Sequence, residues 1–339
     1  MLKKFISKVV EKQDLTEEEA HQAMGIIMDG DASSAQIASF VTGLRMKGET
    51  IPEITGFARA MRTRAVHIAA KGKEWILDTC GTGGDGHGTF NISTTVSFVA
   101  AGKGITVAKH GNRSVSSRCG SADVLEALGV NIQLPPERVE ACLQAVGLAF
   151  LFAPLFHPAM KYALAPRKEM GIRTVFNLLG PLNNPAGANA QIVGLYRGDL
   201  TRPIGEVLKN LGCRGAFVVH GEDHCDEISI TGKTIVSHLR KGTITTYDVQ
   251  PEDFGLKRST LEHIQGGTAQ DNAKILLEVL GGASGPKRDV VLLNAGAAFV
   301  SADRARDMKE GIAMAEESID SGEAMGKLRE LVAFSNRKE

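Results

Sequence analysis

Apolar positions recur at two different periods along the chain, and the change falls near residue 70. Before it, Ala20, Met24 and Ile27 stand at helical spacing, as do Ile37, Phe40, Val41 and Leu44, and then Ile54, Phe57, Ala60 and Met61. Thr16-x-x-Glu19, Ser33-x-x-Gln36 and Thr50-x-x-Glu53 are three capping boxes, and Pro52 falls in a first helical turn, where proline is tolerated. The opening stretch MLKKFISKVVEKQDL has charges between its apolar positions, so it reads as an amphipathic first helix and not as a signal peptide. Few polar residues in this part suggest chemistry. It is expected to be a structural helical module.

From Lys73 onward short apolar runs alternate with helical stretches. WILDTC, GITVAKHG, VNIQL, GLAFLFAP, AQIVGLY, GAFVVHG and DVVLLNAG read as strands, and Ser121 to Leu128 and Glu137 to Ala145 are long enough to be crossover helices. The pattern predicts an α/β protein: a small N-terminal helical domain plus a large α/β domain with a mainly parallel central sheet. Residues 229–250 read as a small antiparallel meander with polar faces, and 268–280 and 308–334 read as helical.

Composition narrows the classes of function. Lys plus Arg and Asp plus Glu balance at 39 each in 339 residues, so no global field recruits nucleic acid or an anionic membrane. Any anion must be held by local cations. Five cysteines without a C-x-x-C pair suggest reduced thiols, hence a cytoplasmic protein. No apolar run approaches the roughly 20 residues of a membrane span.

Local chemistry concentrates between Trp75 and Thr95. A short apolar run leads through Asp78-Thr79-Cys80 into a loop where Gly81, Gly83, Gly84, Gly86 and Gly88 surround Thr82, Asp85 and His87. Asn91-Ile92-Ser93-Thr94 then offers N-cap chemistry for a helix. A strand, a glycine loop and a helix N-terminus in sequence aim backbone N–H groups at an anion, and phosphate is the expected ligand. A dinucleotide site would want an acidic residue about 20 positions on. Here the next apolar run ends in Lys109-His110, which suits a second phosphate contact better than a ribose hydroxyl. No Gly-Lys-Ser/Thr follows the glycines, so the loop is not a Walker A motif.

GTGGDG and the N-x-S-T that follows, KHGNRSVSS (109–117) with GSADVLEALG (120–129), His157-Pro158-Ala159-Met160-Lys161, and the block from Gly171 to Leu182 with Asn184-Pro185 behind it resemble the anthranilate phosphoribosyltransferase family over nearly the whole chain. The resemblance implies transfer of the phosphoribosyl group of 5-phosphoribosyl-1-pyrophosphate (PRPP) to the amine of anthranilate, a step of tryptophan biosynthesis. It implies that residues 1–72, joined by about 167–187, form the helical domain, and 73–339 the PRPP-binding domain. PRPP is then expected at Gly81, Thr82, Gly83, Gly84, Asp85, Thr89, Asn91, Ser93, Thr94, Lys109 and Ser121. Anthranilate is expected at Gly81, His110, Asn112, His157, Arg167 and Gly180. Lys109, His110 and Arg167 are the candidate catalytic groups. A homodimer through the helical domain is implied, and an association with anthranilate synthase is a further expectation.

Adjacent carboxylates such as Asp226 and Glu227 repel one another unless a cation joins them. Mg²⁺ favours a few carboxylates, waters and substrate phosphates, so Asp226, Glu227 and the Ser93 hydroxyl are the expected ligands. His220, His224 and Cys225 match no common zinc spacing. Lys161, Lys168 and Arg173 are alternatives to Arg167 for the anthranilate carboxylate. His157, in Phe156-His157-Pro158, could equally be a buried structural histidine. Among rivals, a pyrimidine nucleoside phosphorylase would carry Lys-His-Ser at the second loop. A non-catalytic nucleic-acid binder would carry a basic surface and a degraded acidic pair, and a nicotinamide oxidoreductase rests only on the glycine pattern.

Overall fold

The structure, a computed structural model, describes residues 1–83, 86–114 and 118–337. The first four helices are α1 (Lys3–Val10), α2 (Glu17–Met28), α3 (Ser34–Lys47) and α4 (Ile51–Thr63). All three capping boxes close as the sequence predicts, at Thr16, Ser33 and Thr50. They satisfy N–H groups that a helix start would otherwise leave unpaired. Next come β1 (Ile76–Asp78), α5 (Ile92–Gly102), β2 (Thr106–Gly111), α6 (Ser121–Ala127), α7 (Pro136–Val146) and β3 (Leu148–Phe152). The chain then leaves the sheet for α8 (Ala153–Phe156), α9 (Lys161–Met170) and α10 (Val175–Leu179), and returns through β4 (Ala190–Gly194), α11 (Thr201–Asn210) and β5 (Gly215–Gly221). It continues with β6 (Thr234–Arg240), β7 (Thr243–Val249), α12 (Ala269–Leu280), α13 (Pro286–Ser301), α14 (Met308–Asp320) and α15 (Glu323–Ser335).

Among the described residues seven strands form one sheet in the order β3-β2-β1-β4-β5-β6-β7. β1 to β5 run parallel, and β6 and β7 are antiparallel additions at one edge. The 229–250 segment forms the expected antiparallel meander, as β6 and β7 added to the edge of the main sheet. Two expectations are corrected. VNIQL forms no strand: Asn131 and the residues after it lead into α7 as extended loop, with the Asn131 N–H bonded to Ser335 Oγ at 3.1 Å. DVVLLNAG lies inside α13, which is buried from Val290 to Ser301. An apolar run looks alike in a central strand and in a helix enclosed on all sides, and Pro286 in the first turn supplies the helical start. The stretch 308–334 is two helices, broken where Gly322 takes φ +80°.

Two apolar cores share the sheet. Along β4 and β5, Ile192, Phe217 and Val219 face the core that holds α5 and α13, whereas Val193, Ala216 and Val218 face the core of the N-terminal helices. Ala163, Val175, Phe176, Leu178, Leu179 and Leu182 belong to that second core. The excursion between β3 and β4 thus joins the helical bundle, which sits directly on one face of the sheet.

A buried carboxylate fixes the bundle's internal geometry. Glu53 is fully buried and accepts from Leu15 N–H (2.9 Å), Thr50 N–H (2.8 Å) and Lys47 Nζ (2.9 Å). Replacing Glu53 by Ala leaves the internal Leu15 N–H without its acceptor and empties a buried site, while Lys47 keeps Asp14 (2.7 Å) and Gly48 O (2.7 Å), so urea unfolding should show a loss of about 2–3 kcal/mol. A loss below about 1 kcal/mol would mean that the bundle repacks around the gap.

Candidate active site

Strand order reverses around β1: its chain successors β2 and β3 lie on one side, and β4 and β5 on the other. Such a reversal opens a crevice at the carboxyl ends of the strands, where ligands of open α/β sheets bind. β1 ends there in Asp78 and runs straight into Thr79, Cys80 and the glycine loop. Thr82 donates both its N–H (2.9 Å) and its hydroxyl (3.0 Å) to the carbonyl of Gly194, the last residue of β4. Farther on, Gly266 N–H bonds Gly88 O (2.8 Å), Thr89 bridges Gln265, and Phe90 N–H reaches Ile264 O (3.1 Å). Gly84 and Asp85 lie outside the described residues. Helix α5 starts at Ile92 with its positive end on this crevice. Contrary to the capping expectation, the Asn91 side chain makes no cap bond. Its amide donates to Cys119 O (3.4 Å) and its oxygen accepts from Asn272 Nδ2 (2.9 Å), which ties the helix start to the second loop and to α12.

Lys109 stands near the end of β2, beside this loop and only 3% exposed. Its Nζ reaches Thr79 Oγ1 (3.1 Å), Thr79 O (3.3 Å) and Ser93 Oγ (3.3 Å). Burial pulls its pKa below the usual lysine value, opposed by the nearby acidic groups Cys80, Asp78 and Glu227, of which the Cys80 thiol is itself pushed up to about 12 and so stays protonated. Asp78 is wholly buried, and that burial pushes its carboxyl up to about 6 against the pull of Lys109 and of its hydrogen bonds. It accepts from His110 N–H (3.1 Å) and Asn184 Nδ2 (2.7 Å), and the same Asn184 amide also bonds Ala108 O (2.8 Å).

His110 and His157 meet edge to face, with ring centroids 5.0 Å apart. Both are buried, and neither His110 ring nitrogen nor His157 Nε2 finds a hydrogen-bond partner within the protein. Burial lowers His110 to about 3, with His157 and Lys109 adding to the shift and the Gly180 backbone opposing it. Burial likewise lowers His157 to about 4. At neutral pH the pair is an uncharged, unsaturated hydrogen-bonding wall. Gly180 follows α10 directly, and Phe176 of that helix lies 5.2 Å below the Arg167 guanidinium. Arg167 is half-buried and shifted down by burial. Of its alternatives, Lys161 and Lys168 are exposed, and Arg173 is exposed over the Tyr196 ring at 4.6 Å.

Not every expected residue reaches the crevice in the same way. Asn112 is exposed and its carbonyl accepts from Ser121 Oγ (3.4 Å). Thr94 is 1% exposed, with a hydroxyl that has no partner. Asp226 and Glu227 are half-buried on the loop after β5, and Asp226 Oδ2 lies 3.5 Å from where a Cβ on Gly81 would stand. Glu227 is close enough to stabilise the Lys109 charge. Oxygen donors of this kind suit a hard divalent cation such as Mg²⁺; Glu227 and Ser93 each lie near Lys109, and Asp226 beside Gly81. His220, by contrast, gives its Nδ1 to Leu195 O at 2.7 Å.

The sequence did not single out Asp78, Asn184 or Gly194. Asn184 stands beside Asn183 in the turn before Pro185, and Gly194 interrupts a strand pattern, which often marks a close backbone approach. Neither signal names the partner.

The two histidines make stability depend on pH. Each has a folded pKa below its unfolded value near 6.5, so the unfolded chain binds more protons as pH falls from about 6.5 toward 4, and stability drops. Asp78, with its folded pKa raised, works the other way between about 4 and 6. His157→Asn should reduce the acid slope of unfolding free energy by up to about 1.4 kcal/mol per pH unit. An unchanged slope would show that His157 is protonated in the folded protein.

Comparison with known proteins agrees with this geometry. Residues 73–325 match the a/b domain of the glycosyl transferase family, and residues 3–65 match that family's helical bundle domain. Anthranilate phosphoribosyltransferase of Moorella thermoacetica is 59% identical over 98% of both chains. The crystal structure of the Thermus thermophilus anthranilate phosphoribosyltransferase superposes with a TM-score of 0.93 at 45% identity, covering 98% of this chain and 99% of that one. The Saccharomyces cerevisiae enzyme in complex with PRPP and Mg does so with a TM-score of 0.90 at 30% identity, covering 98% and 97%. The chain belongs to the glycosyl transferase family, within its anthranilate phosphoribosyltransferase group.

Proposed function

We propose that the protein is an anthranilate phosphoribosyltransferase, converting anthranilate and PRPP to N-(5′-phosphoribosyl)anthranilate and pyrophosphate. The observation that carries this reading is the meeting of two unlike surfaces at one strand reversal. One side offers Lys109, a glycine loop and the Asp226–Glu227 pair, suited to a metal-bound pyrophosphate. The other is the neutral His110–His157 wall, suited to the edge of a flat aromatic acid. The Saccharomyces cerevisiae relative solved in complex with 4-fluoroanthranilate supports the second half of this assignment.

Cleavage of the C1′–oxygen bond places positive charge on the ribose and negative charge on the departing pyrophosphate. In this reading Lys109 and the N–H groups of Gly81 and Gly83 stabilise the leaving group, the Thr82 N–H being engaged by Gly194 O, and Ser121 and Thr89 contribute further PRPP contacts. Asp226, Glu227 and Ser93 would hold Mg²⁺, which when bound would add charge neutralisation for the pyrophosphate. Arg167 holds the anthranilate carboxylate and Asn112 and Gly180 border the ring, which fixes the amine toward C1′. The aromatic amine is neutral near pH 7 and becomes strongly acidic once bonded to carbon. A weak base such as His110 suffices to take its proton.

In the same reading residues 1–72 with 167–187 act as one helical unit. It pairs with a second copy of the chain through the exposed Val10, Met46 and Leu164. Among the described residues no helix is long and apolar enough to cross a membrane. We place the enzyme in the cytoplasm, where an associated anthranilate synthase would supply its substrate.

Anthranilate fluorescence should fall when protein, PRPP and Mg²⁺ are combined, and should stop falling on addition of a chelator. Stable fluorescence with folded protein would overturn the transferase reading. His110→Asn should lower kcat at least about tenfold with a smaller change in the anthranilate KM. Unchanged turnover would remove its role as proton acceptor.

A further inference from the structure

Gly194 is where the two halves of the phosphate site touch. It ends β4 at the strand reversal, pairs in register with Val219 of β5, and offers its carbonyl to both Thr82 donors. On its other side the main-chain oxygen of Asp226 occupies the very space a Cβ would take, so any side chain at residue 194 would overlap it. Gly81 closes the arrangement, since a Cβ there would stand 3.3 Å from both N and O of Gly194 and 3.5 Å from Asp226 Oδ2. Glycine loop, strand end and acidic loop are thus stacked backbone on backbone. The φ of Gly194 is not in the left-handed region, so the demand for glycine is one of space and not of conformation.

We propose that Gly194 is a positioning residue that sets the spacing between the pyrophosphate loop and the Asp226–Glu227 carboxylates, and through it the affinity of the metal site. The inference rests on the transferase reading, because it takes the acidic pair as the Mg²⁺ ligands. A methyl group at residue 194 would push Asp226 and Glu227 outward, away from Thr82 and Ser93. It would leave His110, His157 and Arg167 where they are, since these lie on β2 and on the excursion between β3 and β4. Metal and PRPP binding should therefore suffer together while anthranilate binding does not.

The test is Gly194→Ala, with Gly81→Ala as a graded companion whose tighter contacts can relax. The Mg²⁺ concentration for half-maximal turnover should rise at least tenfold in Gly194→Ala, with the anthranilate KM within about twofold of wild type, and a few-fold in Gly81→Ala. Free Mn²⁺ measured by electron paramagnetic resonance in titrations of each protein should show the same order of weakening without any turnover. Folded Gly194→Ala with wild-type metal response overturns the proposal. If Gly194→Ala does not fold, a Gly81→Ala protein with unchanged Mg²⁺ and Mn²⁺ response overturns it instead. Wild-type protein that binds Mn²⁺ but consumes no anthranilate would sink the transferase reading, and the Mn²⁺ titrations would still decide the role of Gly194.

Discussion

The burial of the Lys109 ammonium at the end of β2 is the constraint around which the site is built. Taking such a charge out of water costs several kcal/mol, and a buried carboxylate left without a partner is as unfavourable. Asp78 on the adjacent strand answers the first cost, and Thr79 and Ser93 supply oxygens at 3.1 and 3.3 Å. Asp78 is in turn held by the His110 N–H and by Asn184. The parallel register of β1 and β2 is what lets one carboxylate meet both, because a slip of one residue would turn Lys109 to the opposite face. A cation aimed at phosphate and a histidine aimed the other way thus come from consecutive residues of one strand. Asn184 draws the return from the helical excursion into the same network, so both substrate halves hang on it.

The helical bundle reaches the site for a related reason. Alternate residues of β4 and β5 divide between two cores, and the face that carries Val193 and Val218 is covered by the bundle together with Ile204, Val207 and Leu208 of α11. Anchored there, α9 and α10 stack Arg167 on Phe176 and bring the Gly180 backbone to His110. The excursion between β3 and β4 is a long interruption of an otherwise regular alternation, and the apolar residues from Val175 to Leu182 are its tether. Pocket and bundle are one packing problem, which places the aromatic site where motion of the bundle relative to the sheet would open it.

Local rules made much of this legible. Three capping boxes, the glycine loop, the Lys109–His110 pair at a strand end and the Asp226–Glu227 pair all express chemistry within a few residues, and each was readable in sequence. What escaped depends on contacts between distant segments. DVVLLNAG was misread because burial on all sides erases the helical period, and the same Asn294 that looks out of place there is satisfied by Ile228 O and Val290 O across and along the helix. Asn91 was read as a cap because its neighbours have cap chemistry, yet Asn272, far along the chain, takes its oxygen. Gly194 carries no polar side chain at all, and only the path of the 221–227 loop reveals why nothing larger fits.

The electrostatic division of the crevice is what suits it to glycosyl transfer. A cation is wanted where pyrophosphate leaves, the role proposed for Lys109. On the side from which the amine approaches, the proposed Arg167 contact is neutralised by the anthranilate carboxylate, and a further positive group would repel the developing oxocarbenium and raise the barrier. Burial of His110 and His157 removes that charge by holding both imidazoles neutral at physiological pH, with folded pKa values near 3 and 4. Both His110 ring nitrogens and His157 Nε2 lack a well-formed hydrogen bond within the protein, and if an aromatic acid supplies partners, as proposed, part of the desolvation cost is recovered on binding it. A substrate lacking those polar edges would leave the imidazoles unsatisfied, and discrimination in this pocket therefore comes from hydrogen bonding more than from shape.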